Sequence, residues 1–201
     1  MSFVIETLTG KELQRFLPDL ARLRIEVFRE WPYLYDGSME YEQRYLAEFA
    51  RSKDSIIVAA LDEHRQIIGA ATATPLRGHI ASFVPLFEQH GYDPDRVFYF
   101  GESVLKREHR GKGIGHAFFD WREEHARKAT GPKGPYEYTS FCAVIRPPDH
   151  PRRPAHYRPL DPFWTKRGYR MVDGMIGKLS WKDVGEAEET EKPMQFWIRP
   201  L

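Results

Sequence analysis

The chain has 201 residues, of which 30 are basic and 29 are acidic, and its formal net charge at pH 7 is +1. This balance lacks the basic bias of a nucleic-acid-binding protein, and no stretch approaches the roughly 20 apolar residues of a membrane-spanning helix. The single cysteine, Cys142, excludes an internal disulfide, and the first residues lack the basic and apolar blocks of a signal peptide. We therefore expect residues 1–201 to form one cytoplasmic domain that binds neither nucleic acid nor a membrane.

The beginning of the sequence predicts a strand followed by two helices. Residues 3–8 predict a short strand, and Thr9 with Glu12 three residues later predicts a capping box at the start of the first helix. The apolar residues of that helix recur at three- and four-residue intervals: Phe16, Leu20, Leu23 and Val27. A second helix is expected over residues 40–50, and its buried side is formed by Tyr41, Tyr45, Leu46 and Phe49.

The rest of the chain predicts strands separated by helices. Apolar runs at 55–61 and 66–74 predict an antiparallel hairpin. The strongest helical pattern covers 113–128: Ile114, Phe118, Trp121 and His125 share one face, and the pairs Glu123/Arg127 and Glu124/Lys128 lie on the other. The remaining expected elements are a helix over 79–90, strands over 97–105 and 138–145, an irregular segment over 146–162, a short helix over 163–167, and strands over 169–181 and 194–199. This order predicts an α/β fold with one mixed central β-sheet flanked by helices, in which a crossover helix joins two parallel strands.

Residues 101–115 contain the candidate binding segment. A strand ends there, a short basic loop follows, and glycines open the helix over 113–128. Unpaired N–H groups at a helix start bind phosphate, and Arg110 and Lys112 add positive charge. A Walker P-loop is absent, and the Rossmann pattern fails because Phe118 stands where its third glycine is required. The alternative interpretation of these glycines is a tight strand-to-helix turn that binds no ligand, which an isolated pair of glycines would favour.

The glycine pattern resembles the coenzyme A pyrophosphate loop of the GCN5-related N-acetyltransferase (GNAT) superfamily. Segments 23–28 and 163–169 are similar to that superfamily's first-helix pattern and late helix-to-strand corner, and the order of elements agrees over nearly the whole chain. The resemblance implies acetyl-CoA as the co-substrate. It also implies two sets of binding residues: Arg110, Gly111, Lys112, Gly113, Ile114 and Gly115 for the pyrophosphate, and Ser103, Val104 and Leu105 for the pantetheine arm. A backbone N–H near Leu105 would bind the thioester carbonyl.

Two residues are candidates for acid–base chemistry. Glu102 lies in an apolar strand, where a carboxylate is costly to bury without a task or a partner. Family members often place a general base on this strand; a structural carboxylate is the alternative. The resemblance puts Trp164 where many members carry a tyrosine that acts as the general acid for the departing thiolate. Tyr157 is a substitute candidate for the acid, and a packed loop tyrosine is the alternative.

The resemblance predicts an N-acetyltransferase that transfers an acetyl group directly to a primary amine in a ternary complex. The acceptor is a small molecule or an amine of a peptide or protein, and a homodimer is possible. Because Trp164 replaces the usual acid, a non-catalytic acyl-CoA-binding sensor is the alternative. The basic, proline-rich segment 146–162 is either a clamp for anions or a solvated loop. No metal site is predicted, since the histidines show no zinc-like spacing.

Overall fold

The computed structural model describes residues 3–78 and 81–201, and its main element is a seven-stranded sheet. The strands are β1 (Val4–Leu8), β2 (Ile56–Leu61), β3 (Ile67–Pro75), β4 (Val97–Leu105), β7 (Tyr138–Val144), β8 (Arg170–Lys182) and β9 (Glu189–Pro200), with a separate small hairpin of β5 (Thr130–Gly131) and β6 (Gly134–Pro135). The helices are α1 (Gly10–Phe28), α2 (Met39–Phe49), α3 (Val84–Gln89), α4 (Ile114–Lys128) and α5 (Asp161–Lys166). The strand order is β1-β2-β3-β4-β7-β9-β8. The predicted α/β fold with one mixed sheet flanked by helices is confirmed.

Apolar side chains on both faces of the sheet explain its position between two helical layers. Every residue of β2 is buried, which is typical of a strand that is covered on both faces. On one face, Ile57 packs with Leu20 and Leu23 of α1. On the other face, Val58 packs with Phe118 of α4. Alternating side chains of one strand therefore bind the two helical layers together.

The sheet opens between its two central strands. β4 and β7 are the parallel pair that the crossover helix α4 predicted, but they pair only from Val97 opposite Tyr138 to Tyr99 opposite Ser140. Beyond this point β7 continues in a ladder with β9, and β4 continues in a ladder with β3. The carboxyl-terminal part of β4 therefore has one edge that β7 does not cover.

Several helical details differ from the sequence predictions. Thr9 is the N-cap of α1, but its side chain makes no capping hydrogen bond, so the predicted capping box is wrong. Tyr41 and Trp121 were expected on buried faces and are 38% and 46% exposed. Glu123 was expected on the solvated face; it is 4% exposed and also bonds to Arg199, while the predicted pairs Glu123/Arg127 and Glu124/Lys128 are confirmed at 3.9 and 2.7 Å.

The helix expected over 79–90 is shorter than predicted. Residues 79 and 80 lie outside the described residues, and the chain then forms a 3₁₀ turn at Ala81–Phe83 and the helix α3. The last strand begins earlier than expected, at Glu189, so part of the acidic stretch pairs with β8.

Candidate active site

The separation of β4 from β7 creates a cavity of about 490 Å³. Its walls come from both strands, from α5 and from the loop between β7 and α5. Glu102, Ser103 and Tyr157 all line it, so the structure brings together three of the residues that the sequence singled out. We name this space the cleft cavity.

The free edge of β4 carries peptide groups that an extended ligand can reach. Lys106 donates its N–H to the carbonyl of Ile68 on β3 at 3.0 Å. Because successive residues of a strand direct their N–H groups to opposite edges, those of Ser103 and Leu105 point to the side that β7 leaves unpaired. Val104 offers no side chain to this edge, since it is fully buried in the core beneath α1.

Residues 110–115, the glycine loop, follow the carboxyl end of β4 through a 3₁₀ turn at Arg107–His109. Gly111 and Gly113 have φ angles of +77° and +86°, a left-handed backbone that other residues adopt only at a cost. A Cβ added to either glycine would meet no atom within 4 Å. Gly113 is the N-cap of α4 and no side chain caps the helix. The N–H of His116 bonds to the Gly113 carbonyl, and those of Ile114 and Gly115 are left for a ligand.

The basic side chains of the glycine loop make weak contacts within the protein. Arg110 donates to Glu30 at 3.0 Å and to the Leu105 carbonyl at 3.1 Å, and Lys112 donates to the Glu108 carbonyl at 2.9 Å. Arg110 and Lys112 are both exposed. An exposed ion pair contributes roughly 0–1 kcal/mol, so an anion at the loop can compete for these charges at little cost.

Glu102 belongs to a buried network of three charged side chains, which we name the Arg24 triad. The guanidinium of Arg24 contacts Oε2 of Glu102 and Oε2 of Glu42, both at 2.5 Å. Arg24 is 7% exposed, Glu42 is 0% and Glu102 is 5%. One positive charge therefore serves two carboxylates, and the triad carries one net negative charge when both acids are ionised.

The surroundings of Glu102 suit a proton acceptor. Burial raises the pKa of Glu102 and the nearby charge of Glu42 adds to this effect, while Arg24 opposes it. Oε2 of Glu102 is held by Arg24, whereas Oε1 has no hydrogen-bond partner among residues 3–78 and 81–201. The carboxylate thus has one structural oxygen and one available oxygen beside the cleft cavity.

Arg122 of α4 supports the backbone around Glu102. Its guanidinium donates to the carbonyls of Thr72 and Glu102 at 3.1 and 3.2 Å, and to the Ser103 hydroxyl at 2.8 Å. These carbonyls flank the irregularity where the β3–β4 register shifts. Burial lowers the pKa of Arg122 to about 10, so the side chain stays charged at neutral pH.

Tyr157 and Trp164 occupy different parts of the cleft cavity wall. Tyr157 is half-buried, with its ring centroid 5.9 Å from that of Trp31, and burial raises its pKa. Trp164 packs edge-on against Phe141 and Trp197, with centroids 5.0 and 5.2 Å away. Of the two, Tyr157 alone carries a proton that an acid can donate.

Arg146, the first residue of the proline-rich segment 146–162, connects this segment to the rest of the protein through its side chain. The side chain of Arg146 is 8% exposed and donates to both carboxylate oxygens of Asp183, at 2.7 and 3.0 Å. It also donates to the carbonyls of Pro32 and Tyr33. For Arg146 both expectations, an anion clamp and a solvated loop, are wrong: its charge is neutralised, and it fixes the turn that forms part of the cleft cavity wall.

Arg24, Glu42 and Arg122 are residues that the sequence reasoning missed. Arg24 lies four residues after Leu20, and Arg122 lies four residues after Phe118, so both fall on core-facing stripes of their helices. A charged residue at such a position indicates a buried ion pair or hydrogen-bond network, because charged side chains are almost never fully buried alone. The helical spacing therefore contained a signal for them.

A model of the Acetyltransferase (GNAT) family matches residues 20–133, more than half of the chain. The chain belongs to the GNAT family. The resemblance inferred from the glycine loop and its two accompanying segments is confirmed, and the co-substrate of this family is acetyl-CoA. Among curated proteins the sequence has no significant match.

Solved structures of GNAT proteins share the whole fold at low sequence identity. A GCN5-related N-acetyltransferase from Kribbella flavida is 16% identical, with 98% of each chain covered and a TM-score of 0.59. The phosphinothricin acetyltransferase of Sinorhizobium meliloti, solved with AcCoA, is 16% identical with a TM-score of 0.58; the match covers 100% of this chain and 89% of that one. NAA60 of Arabidopsis thaliana, solved with acetyl-CoA, is 14% identical with a TM-score of 0.59 and coverage of 100% and 99%.

The glycine loop of this GNAT protein fits a diphosphate group. Its two left-handed glycines keep the loop surface free of side chains, its helix start leaves N–H groups uncapped, and Arg110 and Lys112 flank it. The described parts of the chain contain neither a membrane-spanning helix nor a metal site. None of the helices there has the length and apolar character needed to cross a membrane, and no group of three His, Cys, Asp or Glu side chains is placed to hold a metal ion.

Proposed function

We propose that the protein transfers the acetyl group of acetyl-CoA to a primary amine by direct transfer within a ternary complex. The observation that carries this proposal is the position of Glu102: a buried carboxylate with an available oxygen lies where β4 leaves its neighbour, next to the free N–H edge of Ser103 and Leu105. Acetyl-CoA supplies an acetyl group activated as a thioester. Residues 110–115 bind its diphosphate, and the edge of β4 formed by Ser103, Val104 and Leu105 binds its pantetheine arm.

Three groups of this chain then move protons and stabilise charge. Glu102 takes one proton from the substrate ammonium, which leaves a neutral nitrogen lone pair. As the N–C bond forms, the N–H of Leu105 donates to the acyl oxygen, which gains negative charge. The C–S bond breaks with its electron pair on sulfur, and Tyr157 donates its hydroxyl proton to this sulfur. The product nitrogen releases its surplus proton, which returns through water to the Tyr157 oxygen. Because a thiol has a pKa of about 8.5, this last proton contributes less than the first.

Burial of Glu102 supports its role as the base. An alkyl ammonium has a pKa of about 10.4, so formation of the neutral amine at pH 7 costs roughly 4–5 kcal/mol. A carboxylate with a raised pKa retains the transferred proton better than an exposed one. We further propose that residues 1–201 act as one catalytic domain and that it works in the cytoplasm.

A variant pair tests cofactor binding at the glycine loop. Gly113→Glu places a side chain and a negative charge against the diphosphate, and we expect acetyl-CoA affinity, measured by calorimetry, to fall at least ~100-fold. Gly91→Glu is the matched control, since Gly91 has a φ of +80° and equally open surroundings. Unchanged affinity in Gly113→Glu would remove the loop from the proposal.

The sensor alternative has its own test. Trp164 occupies the cleft cavity wall and supplies no proton, which favours a protein that binds acetyl-CoA without turnover. Release of free thiol from acetyl-CoA is measured across a panel of amines. Tight acetyl-CoA binding without thiol release in any sample would support the sensor and contradict the transferase.

A further inference from the structure

Glu42 is a buried acidic side chain that the proposed reaction does not use. It lies in the first turn of α2, is 0% exposed, and contacts Arg24 through Oε2 at 2.5 Å. It does not line the cleft cavity, so a substrate bound there meets Glu102 rather than Glu42. A buried carboxylate is costly to keep, and Arg24 with Glu102 would form a neutral pair without it. The position of Glu42 therefore calls for an explanation.

Glu42 and Glu102 bind different nitrogens of one guanidinium. Nε of Arg24 contacts Glu42, and Nη1 contacts Glu102. An arginine that faces a single carboxylate often donates two parallel hydrogen bonds, one to each oxygen. Because Glu42 holds Nε, Arg24 takes only Oε2 of Glu102, and Oε1 has no hydrogen-bond partner among the described residues. The contact with Glu42 thus keeps one oxygen of Glu102 open.

The other charged and titratable groups around Glu102 come from β3, from α4 and from the walls of a smaller cavity that Glu102 also lines. The Thr72 hydroxyl accepts the backbone N–H of Glu102 at 3.2 Å, and Arg122 donates to the Glu102 carbonyl at 3.2 Å. Burial raises the pKa of six further side chains in that cavity wall, so they are neutral at pH 7: Tyr33, Tyr35, Tyr41, Tyr45, Tyr99 and Cys142. Two arginines, Arg24 and Arg122, therefore balance the two carboxylates.

Loss of the negative charge of Glu42 would change this balance in one direction. Glu102 would then face two arginines with no competing carboxylate, and Arg24 could turn to bind both of its oxygens. Burial raises the pKa of Glu102 and Glu42 adds to this effect, while Arg24 and Arg122 oppose it. Without Glu42 the ionised form of Glu102 gains stability, and the side chain becomes a weaker proton acceptor.

We propose that Glu42 is a positioning residue for the transfer reaction: it holds Nε of Arg24 and thereby keeps Oε1 of Glu102 free to take the proton of the acceptor ammonium. This inference rests on the proposed acetyltransferase function. The N–H bond of the ammonium breaks, its proton goes to Oε1, and the electron pair stays on nitrogen. The helix α2 contributes to this step although none of its residues lines the cleft cavity.

The pH profile of Glu42→Gln tests this role. Glutamine keeps the size of the side chain and removes its charge. Thiol release from acetyl-CoA is measured as kcat/KM, with the amine of the panel that reacts fastest, across the pH range in which both proteins stay folded. We expect the midpoint of the acidic limb to fall by about one pH unit or more. The pH-independent kcat/KM should fall about threefold or more, because a weaker base accelerates the reaction less. A midpoint that stays in place or rises would overturn the inference.

The direction of this change distinguishes altered proton affinity from damage to the fold. One pH unit is a tenfold change in the ionised fraction below the limb. The activity of Glu42→Gln relative to the unaltered protein should therefore rise by up to about tenfold as the pH falls. Partial unfolding lowers the relative activity at every pH, and the midpoint does not depend on the amount of folded protein. A constant relative activity at all pH values contradicts the proposed role.

Two further variants of α2 provide the controls. Glu42→Asp keeps a negative charge beside Arg24, so it should restore most of the shift seen in Glu42→Gln. Glu40→Gln removes an acidic charge from the exposed side of the same helix turn and should leave the profile unchanged. A shift as large in Glu40→Gln as in Glu42→Gln would assign the effect to the net charge of α2 and overturn the inference.

A titration without substrate separates this inference from the transferase function. The carboxyl carbon of Glu102 is followed by NMR in protein with ¹³C-labelled glutamate, and its signal is identified by its absence in Glu102→Gln. If no amine releases thiol, the transferase proposal fails, and this titration still tests the effect of Glu42. A midpoint lower by about one pH unit or more in Glu42→Gln supports the inference. An equal or higher midpoint overturns it, whatever the amine assay shows.

Discussion

Glu102→Gln is the substitution that most directly tests the proposed mechanism. Glutamine keeps the size of the side chain but cannot accept a proton, and a positioned general base contributes typically about 10²–10⁴-fold to rate. We therefore expect kcat/KM for an amine substrate to fall by about 10²–10⁴, with acetyl-CoA affinity unchanged, because Glu102 lies outside the glycine loop. The assay is thiol release under steady-state conditions, and Glu63→Gln in the exposed turn before β3 is the control.

The same variant should not unfold the protein. In the unaltered chain Arg24 serves two carboxylates; in Glu102→Gln it keeps Glu42 at 2.5 Å as a neutral pair. Removal of one partner from a simple buried pair costs about 3–5 kcal/mol, but here the partner left behind remains paired. We expect the free energy of unfolding at pH 7 to change by less than about 1 kcal/mol.

The pH dependence gives a second measurement on Glu102→Gln. The folded-state pKa of Glu102 is raised, so its contribution to stability is fully present at low pH and is lost as pH rises through that pKa. The stability of the variant relative to the unaltered protein should therefore increase over this range. The acidic limb of the kcat/KM profile should also disappear. A fall in kcat/KM of less than threefold, with this limb retained, would refute the assignment of Glu102 as the base.

Three further substitutions or reactions test the surrounding structure. Arg122→Met leaves the carbonyls of Thr72 and Glu102 without their donor, so chemical denaturation should show a loss of about 3 kcal/mol or more. Tyr157→Phe should lower kcat by less than about tenfold in steady-state assays, because a thiolate leaves readily; a drop as large as that of Glu102→Gln would contradict this. Cys142, whose thiol pKa is raised to about 12 by burial, should resist iodoacetamide at pH 8 in the folded protein and react once urea unfolds it, as mass spectrometry can follow.

The features that the sequence predicted well depend on residues close together in the chain. The glycine loop is six consecutive residues, and left-handed glycines next to a helix start work through local backbone geometry. The strand β4 and the crossover helix α4 are similarly visible as apolar runs and helical spacing. The family and the central parallel pair followed from these local patterns and their order.

Helical periodicity predicted less reliably which face of a helix is buried. Trp121 and Glu123 both fit the spacing of α4, but the expected sides were exchanged. The reason lies in partners from distant strands: Glu123 is buried because Arg167, Tyr169 and Arg199 converge on it. A helical pattern cannot tell a buried glutamate with three partners from an exposed one.

The sequence by itself determined the loop that fits a diphosphate and marked Glu102 as an unusual carboxylate, because both signals lie within one segment. Only the tertiary structure decided what surrounds that carboxylate. Arg24 and Glu42 come from two different helices, and the free edge exists because β7 leaves β4 after three residue pairs. Burial and charge balance depend on which distant segments meet, and that information is absent from the spacing of residues along one strand.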